Sequence, residues 1–381
     1  TPHCGILRFT FPEGEQSRIQ IDLARRVGGT AERQYIEVVD KHTIAGWMKC
    51  TPATGGWGNG EGQADYTVYF YAQVDKPMEN YGFWRADIPD DWVRKRDEVV
   101  SVPYLQRVAA APVVTGIDRI EGRHIGFYTE FGTRQDEQVI LRAGISFVDM
   151  EGARKNFEAE IAGKAFDQVA REARELWNRE LARIRIDGGS DRQKTIFYTA
   201  LYHTMVAPSE FCDVNGDYRG ADGEIYRAAP FVNYTTFSLW DTYRAAQPLM
   251  TILHPEKMPD IANTMLHIYR QQGKLPVWHL MGNETDCMVG NPGIPALADA
   301  VLKGYGGFDR EQAYEALKQS AMLGERGMDL RMKYGYIPCD LFNEAVAYDM
   351  EYALADWAVA QVAKELGKTA DYDHFLERSK S

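Results

Sequence analysis

A polar block in the third quarter of the chain gathers side chains that suit the binding of a sugar. It contains an aromatic ring, an amide, a carboxylate and a hydroxyl, which belong to Trp278, Asn283, Glu284 and Thr285. Glycine and proline residues flank them, so neither a helix nor a strand uses these groups. Sugar pockets need carboxylates and amides that bind hydroxyl pairs, and an aromatic face for the apolar side of the ring. The alternative is a helix N-terminus at which Asn283 or Thr285 is the capping residue.

The role of Glu284 stays open on the residues alone. Its carboxylate could bind sugar hydroxyls, or act as a general acid whose pKa is raised by burial beside Trp278. It could equally cap the helix that follows. Trp278 and Trp57 are candidates for stacking on a sugar ring, although a single tryptophan more often belongs to a core or an interface. We expect Glu284 to bind substrate.

A second block contains Trp240, Asp241 and Arg244 at the start of an amphipathic segment. The Asp241 carboxylate could accept two hydroxyls of a terminal sugar, with Arg244 one helical turn further on. In the alternative, Asp241 complements the helix dipole and forms an i,i+3 ion pair with Arg244. These residues taken alone favour the alternative.

One segment has the outline of a calcium loop. Asp213, Asn215 and Asp217 alternate, and Glu224 follows at the distance of the last ligand of an EF-hand. The sixth position of such a loop needs glycine for its sharp turn, and here it is Tyr218. A turn rich in glycine and aspartate is therefore the simpler interpretation.

The composition is that of a globular protein and excludes some classes of function. The chain has 381 residues, 45% of them hydrophobic and 26% charged, which is enough for two or more domains. A net charge of −12 argues against a nucleic-acid partner, whose phosphates require a basic surface. No apolar run reaches the roughly 20 residues that span a membrane. The five scattered cysteines predict neither a disulfide framework nor a zinc site.

The hydrophobic pattern changes once along the chain. Up to about residue 150 it is typical of short strands separated by glycine and asparagine clusters, which predicts an antiparallel β-sandwich. From about residue 170 the apolar residues recur at helical spacing. Seven helical segments follow, near residues 191–206, 239–253, 256–271, 293–303, 309–323, 345–366 and 368–380. We therefore expect a sandwich domain over 1–165, a helical linker over 166–188 and an all-helical domain over 189–381.

Several long blocks resemble glycoside hydrolase family 92, the calcium-dependent exo-acting α-mannosidases. The most specific is Leu239-Trp240-Asp241-Thr242-Tyr243-Arg244. The blocks occur in the family's order and cover nearly the whole chain; they are residues 144–148, 151–156, 197–205, 237–256, 283–285, 351–357 and 378–380. The combination is far more specific than any single short motif.

The resemblance implies a fold and a limit. It implies an N-terminal β-sandwich followed by an (α/α)6 toroid, of which the predicted helices would make an incomplete part. In the family, the general acid and the general base lie in segments beyond the block that ends this chain at residues 378–380, and so do the expected calcium ligands. The catalytic residues and the metal ligands are therefore not assigned here. We expect this chain to be the central portion of a larger enzyme and to be inactive by itself.

The resemblance also implies a function. It implies exo-acting hydrolysis, with inversion, of terminal α-linked mannose from a mannose-containing glycan, with Ca²⁺ as cofactor and a secreted or periplasmic location. The substrate-binding residues that it implies, or that the residues suggest, are Asp241, Glu284, Trp240, Arg244, Thr285 and Trp278. The alternatives are a glycan-binding module without catalysis and another (α/α)6 enzyme of neutral sugars, such as a phosphorylase.

One departure from the family's pattern affects substrate preference. After Gly290 the family usually carries an aromatic or polar residue and then a histidine, whereas this chain has Asn291-Pro292-Gly293. Proline offers no imidazole nitrogen, so the contact of that histidine is lost. The preferred linkage is therefore left open.

Overall fold

The computed structural model describes residues 1–26, 29–52, 64–89 and 102–380. Trp57 lies outside these ranges. The chain forms two compact units. The first takes in the described residues up to Ile184 together with Cys212–Tyr218, and the second takes in Arg185–Phe211 and the chain from Arg219 onward. No helix of the described residues is long and apolar enough to cross a membrane.

The first unit contains two antiparallel sheets with an apolar core. The described strands of the larger sheet run in the order β1 (Cys4–Phe11), β12 (Glu137–Ser146), β7 (Tyr66–Val74), β6 (Thr43–Cys50), β5 (Arg33–Asp40) and β10 (Arg119–Gly122). Those of the smaller sheet are β2 (Gly14–Asp22), β11 (Ile125–Thr133), β8 (Asn80–Arg85) and β9 (Val113–Val114), while β3 (Arg25–Arg26) pairs with β4 (Gly29–Thr30). Ile36 and Ile44 from the larger sheet lie in one buried cluster with Phe83 and Phe127 from the smaller. This is the β-sandwich that the strand pattern predicts.

Three helices belong to the first unit, and one of them fixes the segment 212–218. They are α1 (Val102–Ala109), α2 (Met150–Glu160) and α3 (Phe166–Leu181). The buried Asp213 carboxylate accepts hydrogen bonds from Ser146 Oγ and from Asn156 Nδ2 of α2, both at 2.8 Å. A Cβ on Gly152 would lie 2.2 Å from Asp213 Oδ2, so only glycine allows this approach. The calcium-loop alternative is therefore wrong, because Asp213 bonds to the sandwich unit.

The second unit is built from helices joined by very short strands. Its helices are α4 (Asp191–His203), α5 (Leu239–Thr242), α6 (Ala246–Leu253), α7 (Met258–Gln272), α8 (Gly293–Leu302), α9 (Arg310–Met322), α10 (Met328–Tyr334), α11 (Ala345–Glu365) and α12 (Thr369–Arg378), with a 3-10 helix over Pro255–Lys257. Its strands are β13 (Ser209–Glu210), β15 (Ile225–Tyr226), β16 (Tyr234–Thr235), β17 (Phe237–Ser238), β18 (Trp278–Leu280) and β19 (Asn283–Glu284), and β14 (Tyr218–Arg219) lies where the chain enters this unit. The expectation of an all-helical domain misses these strands, because two or three residues are too few for a period-2 pattern.

Helix α11 lies at the centre of the second unit and is fixed by buried charges. The Asp356 carboxylate, which is fully buried, accepts a hydrogen bond from Arg378 Nε at 2.8 Å. Arg331 Nη2 lies 3.5 Å from Asp356 Oδ2, and the same guanidinium pairs with Asp349. Burial raises the pKa of Asp356, and the two guanidinium groups oppose that shift. These ion pairs join α10, α11 and α12.

Another face of α11 is apolar and exposed. Val346, Met350, Leu354 and Trp357 follow one another at steps of three and four residues, so they share one face of the helix. Met350 is 70% exposed and Trp357 is 47% exposed. We call these four residues the α11 stripe. Contiguous exposed apolar surface of this kind favours association.

The pair of His3 and Glu160 in the first unit predicts a dependence of stability on pH. His3 Nδ1 lies 2.5 Å from Glu160 Oε1, and the backbone nitrogen of His3 donates to Glu160 Oε2 at 3.1 Å. Burial alone would raise the pKa of Glu160, but hydrogen bonds from His3 and Thr1 outweigh it and lower the pKa to about 2. A lowered folded-state pKa stabilises the fold above the ordinary value of 4.5, and this contribution is lost as the pH falls toward 2.

His3→Ala removes the imidazole hydrogen bond but keeps those from Thr1 and from the His3 backbone, so we expect it to cost about 1–2 kcal/mol of unfolding free energy near pH 6 and much less near pH 2.5. Urea unfolding of both chains at a series of pH values measures this difference. A difference that stays constant from pH 6 to pH 2.5 would show that His3 does not lower the pKa of Glu160 in the folded protein.

Candidate functional site

The two polar blocks of the sequence meet in a three-stranded antiparallel sheet. Strand β17 pairs with β18, so that Ser238 lies opposite Trp278. Strand β18 pairs with β19, so that His279 lies opposite Glu284. The sheet therefore places the start of the Asp241 block beside the Glu284 loop.

The Glu284 carboxylate binds the backbone of its own loop. Its donors are the backbone amides of Val277, Trp278, Thr285 and Asp286 at 2.8–3.0 Å and the Nε2 group of Gln272 at 3.4 Å. A carboxylate offers about four lone-pair positions, so these donors use its full capacity. A sugar hydroxyl would have to displace one of them. The geometry thus favours a role for Glu284 in positioning the loop, and direct contact with substrate stays a prediction.

The surroundings of Glu284 also bear on the two other roles. Burial and the charge of Asp286 raise its pKa, and the amides of Val277, Trp278 and Asp286 oppose that shift. A general acid must direct its proton at the leaving group, whereas both oxygens here face backbone amides. A helix-capping role is wrong, because the next helix, α8, begins only at Gly293.

Trp278 and Thr285 stabilise the same loop. The Thr285 hydroxyl donates to the Trp278 carbonyl at 2.7 Å. The exposed fraction is 2% for Thr285 and 8% for Trp278, which leaves neither side chain open to a sugar in this structure. Asp286 has a φ of +47° and forms salt bridges with Lys274 at 2.9 Å and with Arg326 at 3.4 Å. These ion pairs hold a strained backbone in place.

Asp241 differs from Glu284 because it faces outward. It lies on the one-turn helix α5 and is exposed. One carboxylate oxygen, Oδ2, accepts a hydrogen bond from Ser238 Oγ. Within the described ranges the other oxygen has no protein donor, so it can accept a ligand hydroxyl. A helix of four residues has little dipole to complement, which weakens the capping alternative.

Arg244 pairs with Glu351, so the alternative in which Arg244 forms an i,i+3 ion pair with Asp241 is wrong. Arg244 Nη2 lies 2.5 Å from Glu351 Oε1. The hydroxyl of Tyr243 donates to Glu351 Oε2 at 2.8 Å and accepts from Arg244 Nη1 at 2.8 Å. The guanidinium carbon of Arg244 also lies 5.0 Å from the centre of the half-buried Trp240 ring. Trp240 therefore supports Arg244 by a cation–π contact.

Glu351 joins this cluster to the Glu284 loop. A Cβ on Gly290, whose φ is +77°, would lie 2.4 Å from Glu351 Cβ. Glu351 was quoted above only as part of a family block and was missed as a site residue. A signal was available, because Asp349, Glu351 and Asp356 are isolated carboxylates in a largely apolar helix. Such groups need cationic partners when they are buried.

The structure does not supply a metal site in the ranges it describes. Among these residues no group of three or more His, Cys, Asp or Glu side chains is close enough to hold an ion. The described part of the chain therefore does not fit calcium by itself.

Comparison with known families identifies the class to which this fold and site belong. The model of the Glycosyl hydrolase family 92 N-terminal domain matches residues 1–146, and that of the family's catalytic domain matches residues 152–381. The chain belongs to glycosyl hydrolase family 92.

Solved structures agree with this assignment. The family GH92 alpha-mannosidase BT3965 from Bacteroides thetaiotaomicron is 34% identical, with a TM-score of 0.86 over 99% of this chain and 48% of its own. The inverting mannosidase BT2199 from the same organism is 26% identical, with a TM-score of 0.83 over 99% of this chain and 48% of its own. The predicted fold class, a β-sandwich followed by part of an α/α toroid, is confirmed.

A curated relative is also similar. A protein of Arthroderma benhamiae described as an uncharacterized secreted glycosidase is 24% identical over 276 residues, which is 67% of this chain and 31% of that protein. The chain thus spans about half the length of the two solved mannosidases and about a third of this relative.

The hydrogen bonds of Glu284 predict a loss of stability when its charge is removed. In Glu284→Gln an NH₂ group would face N–H donors, so we expect the free energy of unfolding to fall by about 1–3 kcal/mol. Glu325→Gln is the matched control, since the Glu325 carboxylate is exposed and its partner Lys274 keeps a second salt bridge with Asp286, so the change should cost less than about 1 kcal/mol. Unfolding in urea measures both changes. Wild-type stability of Glu284→Gln combined with lost sugar binding would instead make Glu284 a direct ligand.

Proposed function

We propose that this chain is part of a longer enzyme, here called the parent enzyme, that releases terminal α-linked mannose from glycans by exo-acting hydrolysis with inversion. The observation that carries the proposal is the exposed Asp241 carboxylate, held by Ser238 beside a braced loop in a member of family 92. Two similar proteins support it. BT3965 was solved in complex with mannoimidazole, and BT2199 is described as inverting.

In this proposal Asp241 contacts the sugar and its neighbours position it. Its open oxygen and the oxygen shared with Ser238 can each accept a hydroxyl of the terminal mannose. Arg244 is exposed next to it and is held by Glu351, so it adds a positive charge near the ring. Trp240, Trp278, Glu284 and Thr285 act mainly by holding these two residues and the loop. We also propose the domain division predicted from the sequence, with a β-sandwich domain over 1–165, a helical linker over 166–188 and a helical domain over 189–381.

Inverting hydrolysis needs two carboxylic groups about 6.5–9.5 Å apart, one as acid and one as base, with a water between the base and the sugar. Within the described part of the site, Glu284 faces its own amides and Asp241 faces outward, which gives one open carboxylate. This favours the second candidate, a glycan-binding module, for the chain taken alone. For the parent enzyme we place the acid, the base and the calcium ligands in other segments.

The proposal also concerns the linkage that the parent enzyme cuts and its cellular location. The Asn291 amide donates to the Ser320 carbonyl of α9 at 3.0 Å, and the next residue, where the family usually has histidine, is Pro292, which offers no imidazole nitrogen to a substrate. A panel of mannobioses therefore has to determine the linkage that is cut. We place the parent enzyme outside the cytoplasm, in line with the relative described as secreted.

The parent enzyme should release mannose from non-reducing α-linked ends and should lose this activity in EDTA. Proton NMR of the first-formed product should show β-mannose, because inversion reverses the anomeric configuration. Initial α-mannose would overturn inversion. Full activity in EDTA would overturn the calcium requirement, and a requirement for phosphate would favour a phosphorylase.

Asp241→Ala in the parent enzyme should lower kcat/KM about ten- to a hundredfold, because loss of one charged hydrogen-bond partner costs about 1.5–3 kcal/mol. Asp329→Ala is a matched control, since Asp329 is an exposed carboxylate in the first turn of the short helix α10. Its kcat/KM should stay within about twofold of wild type. Equal kinetics and equal melting curves for the two variants would leave Asp241 without a role in catalysis.

The chain 1–381 alone should release no mannose from any α-mannoside and should self-associate through the α11 stripe. Mannose release is measured after removal of contaminating glycosidases, and self-association by light scattering. Met350→Glu should reduce self-association, and Lys380→Glu, at an exposed site outside the stripe, should not. Turnover near that of the parent enzyme would show that our placement of the catalytic pair is wrong.

A further inference from the structure

An open cavity of about 470 Å³, lined largely by polar residues, lies on the larger sheet of the first unit. It is found where Thr43 of β6 faces Gln73 of β7, at the opposite end of this strand pair from Cys50 and Tyr66. The polar side chains that line it are Asp40, Lys41, His42, Gln73, Asp75 and Arg142. All of them belong to the first unit, so this cavity is separate from the residues assigned to substrate binding above.

Backbone contacts hold the two carboxylates of this cavity in place. Asp40 Oδ1 accepts a hydrogen bond from the backbone nitrogen of His42 at 2.7 Å. Asp75 Oδ1 accepts one from the backbone nitrogen of Ile140 at 2.8 Å. In each case the second oxygen has no protein donor among the described residues. Each carboxylate is therefore positioned by one oxygen and can bind a ligand with the other.

The remaining polar groups are held in a similar way. His42 Nδ1 lies 2.9 Å from the Val74 carbonyl, and Gln73 Nε2 donates to Thr43 Oγ1 at 3.3 Å. Arg142 donates from Nε and Nη2 to the Lys164 carbonyl at 3.1 and 2.9 Å, and Nη1 remains for a ligand. The cavity thus presents fixed donors and acceptors.

The balance of charge limits what this cavity can bind. Two carboxylates would repel an anion that the Lys41 and Arg142 cations attract. A metal ion is disfavoured, since Asp40, His42 and Asp75 do not form one of the clusters needed to hold it within the described ranges. An apolar ligand would leave the carboxylates and the guanidinium desolvated. Hydroxyl groups both donate and accept, so a neutral polyhydroxyl compound satisfies donors and acceptors together.

We propose that this cavity is a second sugar-binding site, on the β-sandwich, for a neutral saccharide of one or two hexose units. Its volume is in the range of small-molecule sites. The choice of a mannose-containing saccharide rests on the proposed function. Binding a second part of the same glycan would raise the effective concentration of its ends at the mannose-binding site.

The test measures binding of α-1,2-mannobiose to the 1–381 chain that carries Asp241→Ala, which weakens binding at the site proposed above, and the cavity variants then show how much of the remaining binding belongs to the cavity. Saturation-transfer NMR is suitable because it detects weak ligands on large receptors. In this background, Asp40→Asn with Asp75→Asn keeps the acceptors for His42 and Ile140 but removes both charges. We expect the affinity to fall at least tenfold, with an unchanged melting temperature. Asp87→Asn, at an exposed carboxylate away from the cavity, is the matched control and should change nothing.

Three outcomes would overturn the proposal. The first is that no mannobiose binds in the Asp241→Ala background, and the second is that Asp40→Asn with Asp75→Asn binds as tightly as the control. The third is that inorganic phosphate displaces the sugar with higher affinity, which would make the cavity an anion site. In each case mannose release by the parent enzyme would still stand, so failure of this site and failure of the proposed function are distinguishable.

Discussion

The hydrogen bonds that the Glu284 carboxylate accepts from its own loop hold the candidate site together. The Glu284 side chain accepts hydrogen bonds from backbone amides just before β18 and just after β19. It also accepts one from Gln272, the last residue of α7. Hydrogen bonds to a charged acceptor contribute about 1.5–3 kcal/mol each. They allow the loop to keep positive φ angles at Asp286 and Met288 that would otherwise be unfavourable. The polar groups that we propose to contact the sugar therefore depend on a carboxylate that need not touch it.

A second carboxylate, Glu351, links the position of α11 to Arg244 and Tyr243. It binds Arg244 and Tyr243 while its Cβ packs on Gly290. Helix α11 is itself fixed by Asp356, which is buried with Arg331 and Arg378. A buried ion pair stabilises little in net terms, but losing one partner leaves an uncompensated charge. This network therefore sets the geometry of the site more than it adds to stability.

The sequence predicts the longer helices and strands because each spans enough residues to show a hydrophobic period. The change from strand-like to helical spacing near residue 170 agrees with the sandwich and with the helices that follow, and Asp241 is exposed as a ligand-binding carboxylate must be. Helix α10 was missed, since seven residues between Gly327 and Gly335 give less than two turns of pattern. The role of Glu284 was also hidden, because its partners are backbone amides, which every residue has. Asp213 was ambiguous for a related reason, since Ser146 and Asn156 are distant in sequence.

The most direct measurement is a crystal structure of the parent enzyme with mannoimidazole bound. The account predicts the Asp241 carboxylate within about 2.5–3.2 Å of two ring hydroxyls. Glu284 should keep its four backbone amides and make no contact with the sugar. A complex in which Asp241 is turned away, and Glu284 has released its amides to bind the sugar, would contradict it.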